Sequence, residues 1–199
     1  MAPILTAKVG TNADLFPDVL SLYCPENGLV LDATWGKGVF WRNLPNARVV
    51  GMDLAPRMGA KLCADVRSLP FADAMFDATV FDPPYARHGK TPIGIKGIVD
   101  NFGLDTVPDY NCVDIVNLYR DGLKELRRVL KPGRCAIVKT QDEIESGKQK
   151  WKHAELLNVD GFLAEDLFIL VQKCSPVMRH PYQHHARKNH SYFIVLRKL

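Results

Sequence analysis

Three short apolar runs, each ending in aspartate, constrain this chain more than any other feature. They are LVLDA (29–33), ARVVGMD (47–53) and FDATVFD (76–82). A short apolar run without polar alternation suits a strand buried on both faces, as parallel sheets require. Between and after such strands the chain must cross back, and helix signals fall where crossings are needed. Residues 14–23 carry Leu15, Val19, Leu20 and Leu22 at helical spacing before Pro25. Residues 114–130 place Ile115, Tyr119, Leu123, Leu126 and Leu130 on one face, followed by Lys131-Pro132-Gly133 as a stop and the strand CAIVKT. Two further β-rich runs, 168–172 and 192–196, lie near the C-terminus. The alternation predicts a doubly wound α/β fold, in which ligands bind beyond the carboxyl ends of the strands. Asp32, Asp53 and Asp82 would converge on that edge.

The 199 residues suffice for one sizeable core, so we read 1–199 as a single domain. Five scattered cysteines form no CxxC pair, which argues against a disulfide framework or zinc knuckle and fits a reducing cytoplasm. The N-terminus has no secretory layout and no apolar run reaches membrane-spanning length, so a soluble protein is expected. Six of the 26 Lys and Arg fall between Lys173 and Leu199, where there is no Asp or Glu; the remaining 20 face 22 acids. The positive charge is thus concentrated at one end, where it would attract phosphate.

After the first strand the chain reads LDATWGKGVFW. Gly36 and Gly38 permit a tight turn that brings backbone amides close to a ligand. A dinucleotide site would want a small residue three positions after the second glycine, and Trp41 stands there, against NAD or FAD. Asp53 follows Asp32 by 21 residues, about where an acid accepts from ribose hydroxyls. Asp65 and Val66, in ADVRSLPF, suit an adenine amino group and ring. In TVFDPPYARHGK (79–90), Pro83 and Pro84 end the third strand, because neither can donate to a ladder.

In this order, LDATWGKG, GMD, ADVRSLPF, FDPPY and LKELRRVLKPG resemble the class I S-adenosylmethionine-dependent methyltransferases, and the DPPY block resembles that of nucleic-acid amino-methyltransferases. The resemblance covers roughly residues 10–140. It implies a Rossmann-like, mostly parallel seven-stranded sheet with an antiparallel C-terminal strand, and S-adenosylmethionine as cofactor. It also implies that Asp32, Thr34, Gly36 and Gly38 hold the methionine part, Asp53 the ribose, and Asp65 and Val66 the adenine. Thr11 and Asn12 would reach the cofactor carboxylate. Trp35 and Lys37 depart from the smaller residues usual in the loop.

An exocyclic amine is a poor nucleophile because its lone pair is delocalised into the ring. Two fixed acceptors for its N–H groups favour a pyramidal nitrogen. Asp82 offers a carboxylate and Pro83 a carbonyl, with Pro84 removing a competing donor, while Tyr85 offers a face on which an extruded base can lie. An initial Asp resembles the adenine enzymes, and enzymes of the guanine amino group in RNA also carry Asp or Asn.

Arg87, His88 and Lys90 follow the motif, and Gly89 to Tyr110 reads as a substrate loop. Further on, HPYQHHARKNHSYF (180–193) places Arg187, Lys188 and His190 among Tyr182 and Tyr192, which suits a nucleic-acid backbone with exposed bases. No metal set is completed by its histidines. The segment 139–151 reads as a loop over the site or a polar link. The expected activity is methylation of adenine N6 in DNA, with tRNA or rRNA as alternative substrate, by a monomer or homodimer. A non-catalytic nucleic-acid-binding module and a small-molecule methyltransferase are the rival readings.

Overall fold

The computed structural model describes residues 3–55, 59–83, 115–145, 147–173 and 184–199. Chain order is β1 (Ala7–Val9), α1 (Asn12–Tyr23), β2 (Val30–Asp32), a 3-10 turn (Val39–Trp41), β3 (Val49–Asp53), β4 (Leu62–Cys63) and β5 (Phe76–Phe81). Then follow α2 (Ile115–Val129), β6 (Leu130–Thr140), β7 (Glu143–Glu145), β8 (Lys148–Lys150), α3 (Lys152–Leu156), β9 (Phe162–Val171) and β10 (His190–Lys198).

Eight strands form one sheet in the order β1-β9-β10-β6-β5-β2-β3-β4, and β7 and β8 make a separate hairpin. All pairings in the large sheet are parallel except those of β10, which runs antiparallel to both β6 and β9. The doubly wound fold with its antiparallel C-terminal strand is therefore as expected. The strand count is one higher than the expected seven: β1, only three residues long, pairs with β9 at the sheet edge, Ala7 opposite Ile169. Its sequence, AKV, has too little apolar content to announce a strand, and its burial is marginal.

Side-chain alternation divides the core between the two sheet faces. Ala136, Val138, Tyr192, Ile194 and Leu196 join Tyr119, Leu123 and Leu126 of α2. Cys135, Ile137, Phe193 and Val195 join Leu15, Phe16 and Val19 of α1 and Phe40 and Trp41 of the 3-10 turn. Because both faces are covered, β6 is apolar on every residue from Cys135 to Val138, all of them buried.

Helix α2 ends at Val129, and Lys131-Pro132-Gly133 falls inside β6, which begins at once with Leu130. Phe76 pairs with Leu130 and Ala78 with Cys135, so the extra residues bulge out of the ladder, with Gly133 at φ +69°. The proline is accommodated because the bulge asks for no ladder donor. The polar segment after β6 is the β7–β8 hairpin, turning at Gly147 with φ +74°. Among the described residues no helix is long and apolar enough to cross a membrane.

Candidate cofactor and substrate site

Parallel strands bring their C-terminal ends to one edge. Asp32 ends β2, Asp53 ends β3, and Asp82 follows β5 directly. Since β1 is parallel to β9, and β9 to β6 through β10, Thr11 and Asn12 at the start of α1 arrive at the same edge. The N-terminal end of antiparallel β10, with Arg187, Lys188 and His190, also comes there, because Tyr192 lies opposite Thr140 at the end of β6.

Asp32 is fully buried. Its Oδ2 accepts from Trp41 Nε1 at 2.6 Å and its Oδ1 from the Thr34 amide at 3.1 Å. Burial pushes its carboxyl up to about 7, against these two hydrogen bonds, and the charges of Asp82 and Asp53 push the same way. Trp41, which obstructs a dinucleotide fingerprint, is therefore the donor that orients the acid beneath the loop.

The glycine loop is tied to both neighbouring strands. Gly36 and Gly38 have φ +52° and +62°, a region glycine enters without strain. The Gly36 amide donates to Asp53 Oδ2 at 2.7 Å, and Asp53 Oδ1 accepts from the Ala55 amide at 3.1 Å. Thr34 Oγ1 accepts from the Asp82 amide at 2.7 Å. The first and third acidic blocks are thus joined by one hydrogen bond. Trp35 does not widen the loop but folds back: its ring stacks on Trp41 at 6.3 Å, and a Cβ on Gly51 of β3 would overlap it.

Asp82 is half-buried and its Oδ2 lies 3.2 Å from Lys139 Nζ. That ammonium is nearly enclosed, 5.8 Å from the ring centroids of both Phe40 and Phe193. Pro83 is buried beside it. Pro84, Tyr85, Arg87, His88 and Lys90, the 89–110 connection and Tyr182 lie outside the described residues.

The remaining candidates have partners of their own. Asp65 is gripped by Arg67, whose Nε lies 3.0 Å from both carboxylate oxygens and whose Nη2 lies 2.5 Å from Oδ2; the guanidinium holds the carboxyl below its usual range. Val66 is buried in the core against α2, near Gly122 and Phe81. Thr11 donates through its amide and hydroxyl to Asp14 Oδ2, at 2.8 and 2.7 Å, capping α1. His190 Nε2 lies 3.0 Å from the Tyr192 hydroxyl, and Lys188 Nζ sits 5.1 Å from the Trp151 ring centroid.

Sequence reasoning missed Lys139, Asp142, His153 and Trp151. The first was legible in principle: a lysine in CAIVKT, a strand covered on both faces, demands an acid. Asp142 is buried just beyond β6 and accepts from His153 Nδ1 at 2.8 Å, while His153 stacks on Tyr192 with centroids 4.3 Å apart. Nothing in the spacing of residues 142 and 153 announces that pair, because the hairpin between them sets it.

The donor set suits S-adenosylmethionine. That molecule carries an ammonium, a sulfonium and a ribose diol, all of which seek carboxylate partners, and the edge gathers three acids beside the loop amides. Asp32 in particular is a buried acid whose charge is opposed by two neighbouring acids, a deficit that a cation relieves. Among the described residues no three His, Cys, Asp or Glu converge to hold a metal.

No family model matches the chain, and no curated protein does. Solved structures do. TrmN from Thermus thermophilus aligns over 93% of this chain and 48% of its own, about half its length, with TM-score 0.57 and 20% identity. An S-adenosylmethionine-dependent methyltransferase from Methanosarcina mazei aligns over 91% of this chain and 97% of its own, with TM-score 0.55 and 17% identity. The N-methyltransferase NodS from Bradyrhizobium japonicum aligns over 94% and 93%, with TM-score 0.54 and 12% identity. At such identities the shared property is the backbone arrangement. The chain has the doubly wound fold of the class I S-adenosylmethionine-dependent methyltransferases.

Proposed function

We propose that the 199 residues act as one S-adenosylmethionine-dependent methyltransferase domain that modifies an exocyclic amino group of a nucleic-acid base, adenine N6 in DNA first. The observation that carries this reading is the position of Asp82-Pro83. It follows β5 at the carboxyl edge, is tied by its amide to the Thr34 hydroxyl of the glycine loop, and is held through its carboxylate by Lys139. An acceptor pair fixed beside a methyl-donor loop is what a delocalised amine requires.

When bound, the cofactor supplies the electrophilic methyl group. The chain's own residues do the rest. Asp32, Thr34, Gly36 and Gly38 receive the methionine end, Asp53 the ribose, Asp65 and Val66 the adenine, and Thr11 and Asn12 the carboxylate end. The Asp82 carboxylate and the Pro83 carbonyl accept from the target amine, Pro84 keeps that carbonyl free of a neighbouring donor, and Tyr85 supports the base. Lys139 fixes the direction of Asp82 Oδ2. Arg87, His88, Lys90, Arg187, Lys188 and His190 contact phosphates on either side.

The test is transfer of labelled methyl from S-adenosylmethionine to duplex DNA and, separately, to total RNA, with nucleoside mass spectrometry of the product. N6-methyladenine in DNA is expected. Label only in RNA moves the substrate to RNA, and label in neither overturns the reading. Asp82→Ala should lower transfer by about 10²–10³-fold, the cost of one lost catalytic hydrogen-bond partner, while calorimetric cofactor affinity stays within about twofold.

A further inference from the structure

We propose that Trp151, together with Lys188, forms a stacking platform for an unpaired base of the nucleic-acid strand that carries the target; this rests on the nucleic-acid reading above and adds a contact to it. Trp151 caps α3 and is 54% exposed, although tryptophan is a side chain that folding ordinarily covers. Of the three tryptophans it alone stands out, since Trp41 is buried and Trp35 packs against β3.

Its position is fixed by the site. The hairpin β7–β8 leaves the carboxyl end of β6, next to the strand that delivers Asp82. Asp142, immediately beyond β6, accepts from both the His153 amide at 3.3 Å and its Nδ1 at 2.8 Å, which anchors the start of α3 to that strand end. Trp151 is two residues from this anchor, and the His153 ring meets it edge-on at 6.1 Å. An indole held so close to the catalytic edge is not a loose surface residue.

The segment packed against the hairpin is basic. Within the hairpin, Glu143 and Glu145 stand across the ladder from Lys150 and Lys148, and Lys152 pairs with Glu143 at 2.5 Å. Residues 184–190 contain no acid, and His185 Nε2 donates to the Gly147 carbonyl at 2.9 Å, docking this segment on the hairpin turn. Lys188 Nζ lies over one face of the indole, 5.1 Å from its centroid. An exposed indole with a cation on one face matches a base with its phosphate, because every base offers a π face and every nucleotide a negative charge.

The experiment measures affinity of the full chain for a fluorophore-free single-stranded oligonucleotide by tryptophan quenching and, independently, by filter binding. Oligonucleotide should quench the wild-type emission, and Trp151→Phe should remove that quenching while keeping affinity within about threefold, because phenylalanine still stacks. Trp151→Ala should weaken binding about tenfold, with cofactor affinity and melting temperature unchanged. Lys188→Ala should flatten the salt dependence of binding. Equal affinity of wild type and Trp151→Ala, or undiminished quenching in Trp151→Phe, would overturn the platform. Trp151-dependent binding without methyl transfer keeps the platform and sinks the proposed activity; transfer to nucleic acid with Trp151-independent affinity does the reverse.

Discussion

Asp32 sits where two requirements conflict. It is buried under the glycine loop, and in its proposed role it must be charged to attract a cation. Its carboxyl is raised from an ordinary 3.8 to about 7, first by burial and then by the nearby acids Asp82 and Asp53. A raised carboxyl means that the folded chain holds the proton more tightly than the unfolded one. The stability that follows is present in full below about pH 4 and is lost as pH rises through about 7. Acids such as Asp77 and Glu125, whose cationic neighbours lower them, act in the opposite direction and only at more acid pH. Between about pH 5 and pH 8 the cofactor-free protein should therefore lose melting temperature, and Asp32→Asn should lose less, as read by calorimetric melting across that range. In the proposed role the same carboxyl must ionise to receive the ammonium or sulfonium. Affinity for S-adenosylmethionine should rise with pH by up to about tenfold per unit below 7 in wild type and stay flat in Asp32→Asn, as read by titration calorimetry.

Among the elements, the loop after β2 depends on β3 for its shape. Gly51 has no side chain because the Trp35 ring occupies that space. Gly51→Ala should force the indole off β3 and cost ~1–3 kcal/mol, seen as a lower denaturation midpoint and a red-shifted tryptophan emission. Cofactor affinity should fall with it, since the Gly36 amide is carried on the same loop. This coupling shows what the amino-acid order reveals and what it withholds. The strand-ending acids, the glycines and helix α2 are legible because each is a local pattern: an apolar run with its stop, or a face repeated at helical spacing. The partnership of Trp35 with Gly51, of Trp41 with Asp32 and of Lys139 with Asp82 is not local. Each joins elements that only the sheet brings together, and the Lys131-Pro132-Gly133 stop concealed a bulge because its strand partner, β5, decides where the ladder resumes. Strand β1 was illegible for the same reason, its three residues becoming a strand only against β9.

At the scale of the whole molecule, one edge of the sheet collects side chains from nearly the full length of the chain. Thr11 and Asn12 arrive from one end, Asp32, Asp53 and Asp82 from the middle, and Lys188 and His190 from the other. A chain beginning at Thr11 would keep β2–β6, β9 and β10 but uncover the edge of β9. Its far-UV dichroism should stay close to wild type, its cofactor affinity should drop, and the unpaired edge should promote self-association measurable by sedimentation.

The pairing of Ala7 with Ile169 also carries a consequence in time. Contacts between residues so far apart in the chain close last, because the loop entropy must be overcome before they form. During synthesis β1 has no partner until β9 has left the ribosome, and β9 joins the rest of the sheet only through β10, so the start of α1 is among the last stretches to be fixed in place. A nascent chain should therefore become able to retain cofactor only after β10 emerges, which makes ligand retention a clock for completion of the sheet.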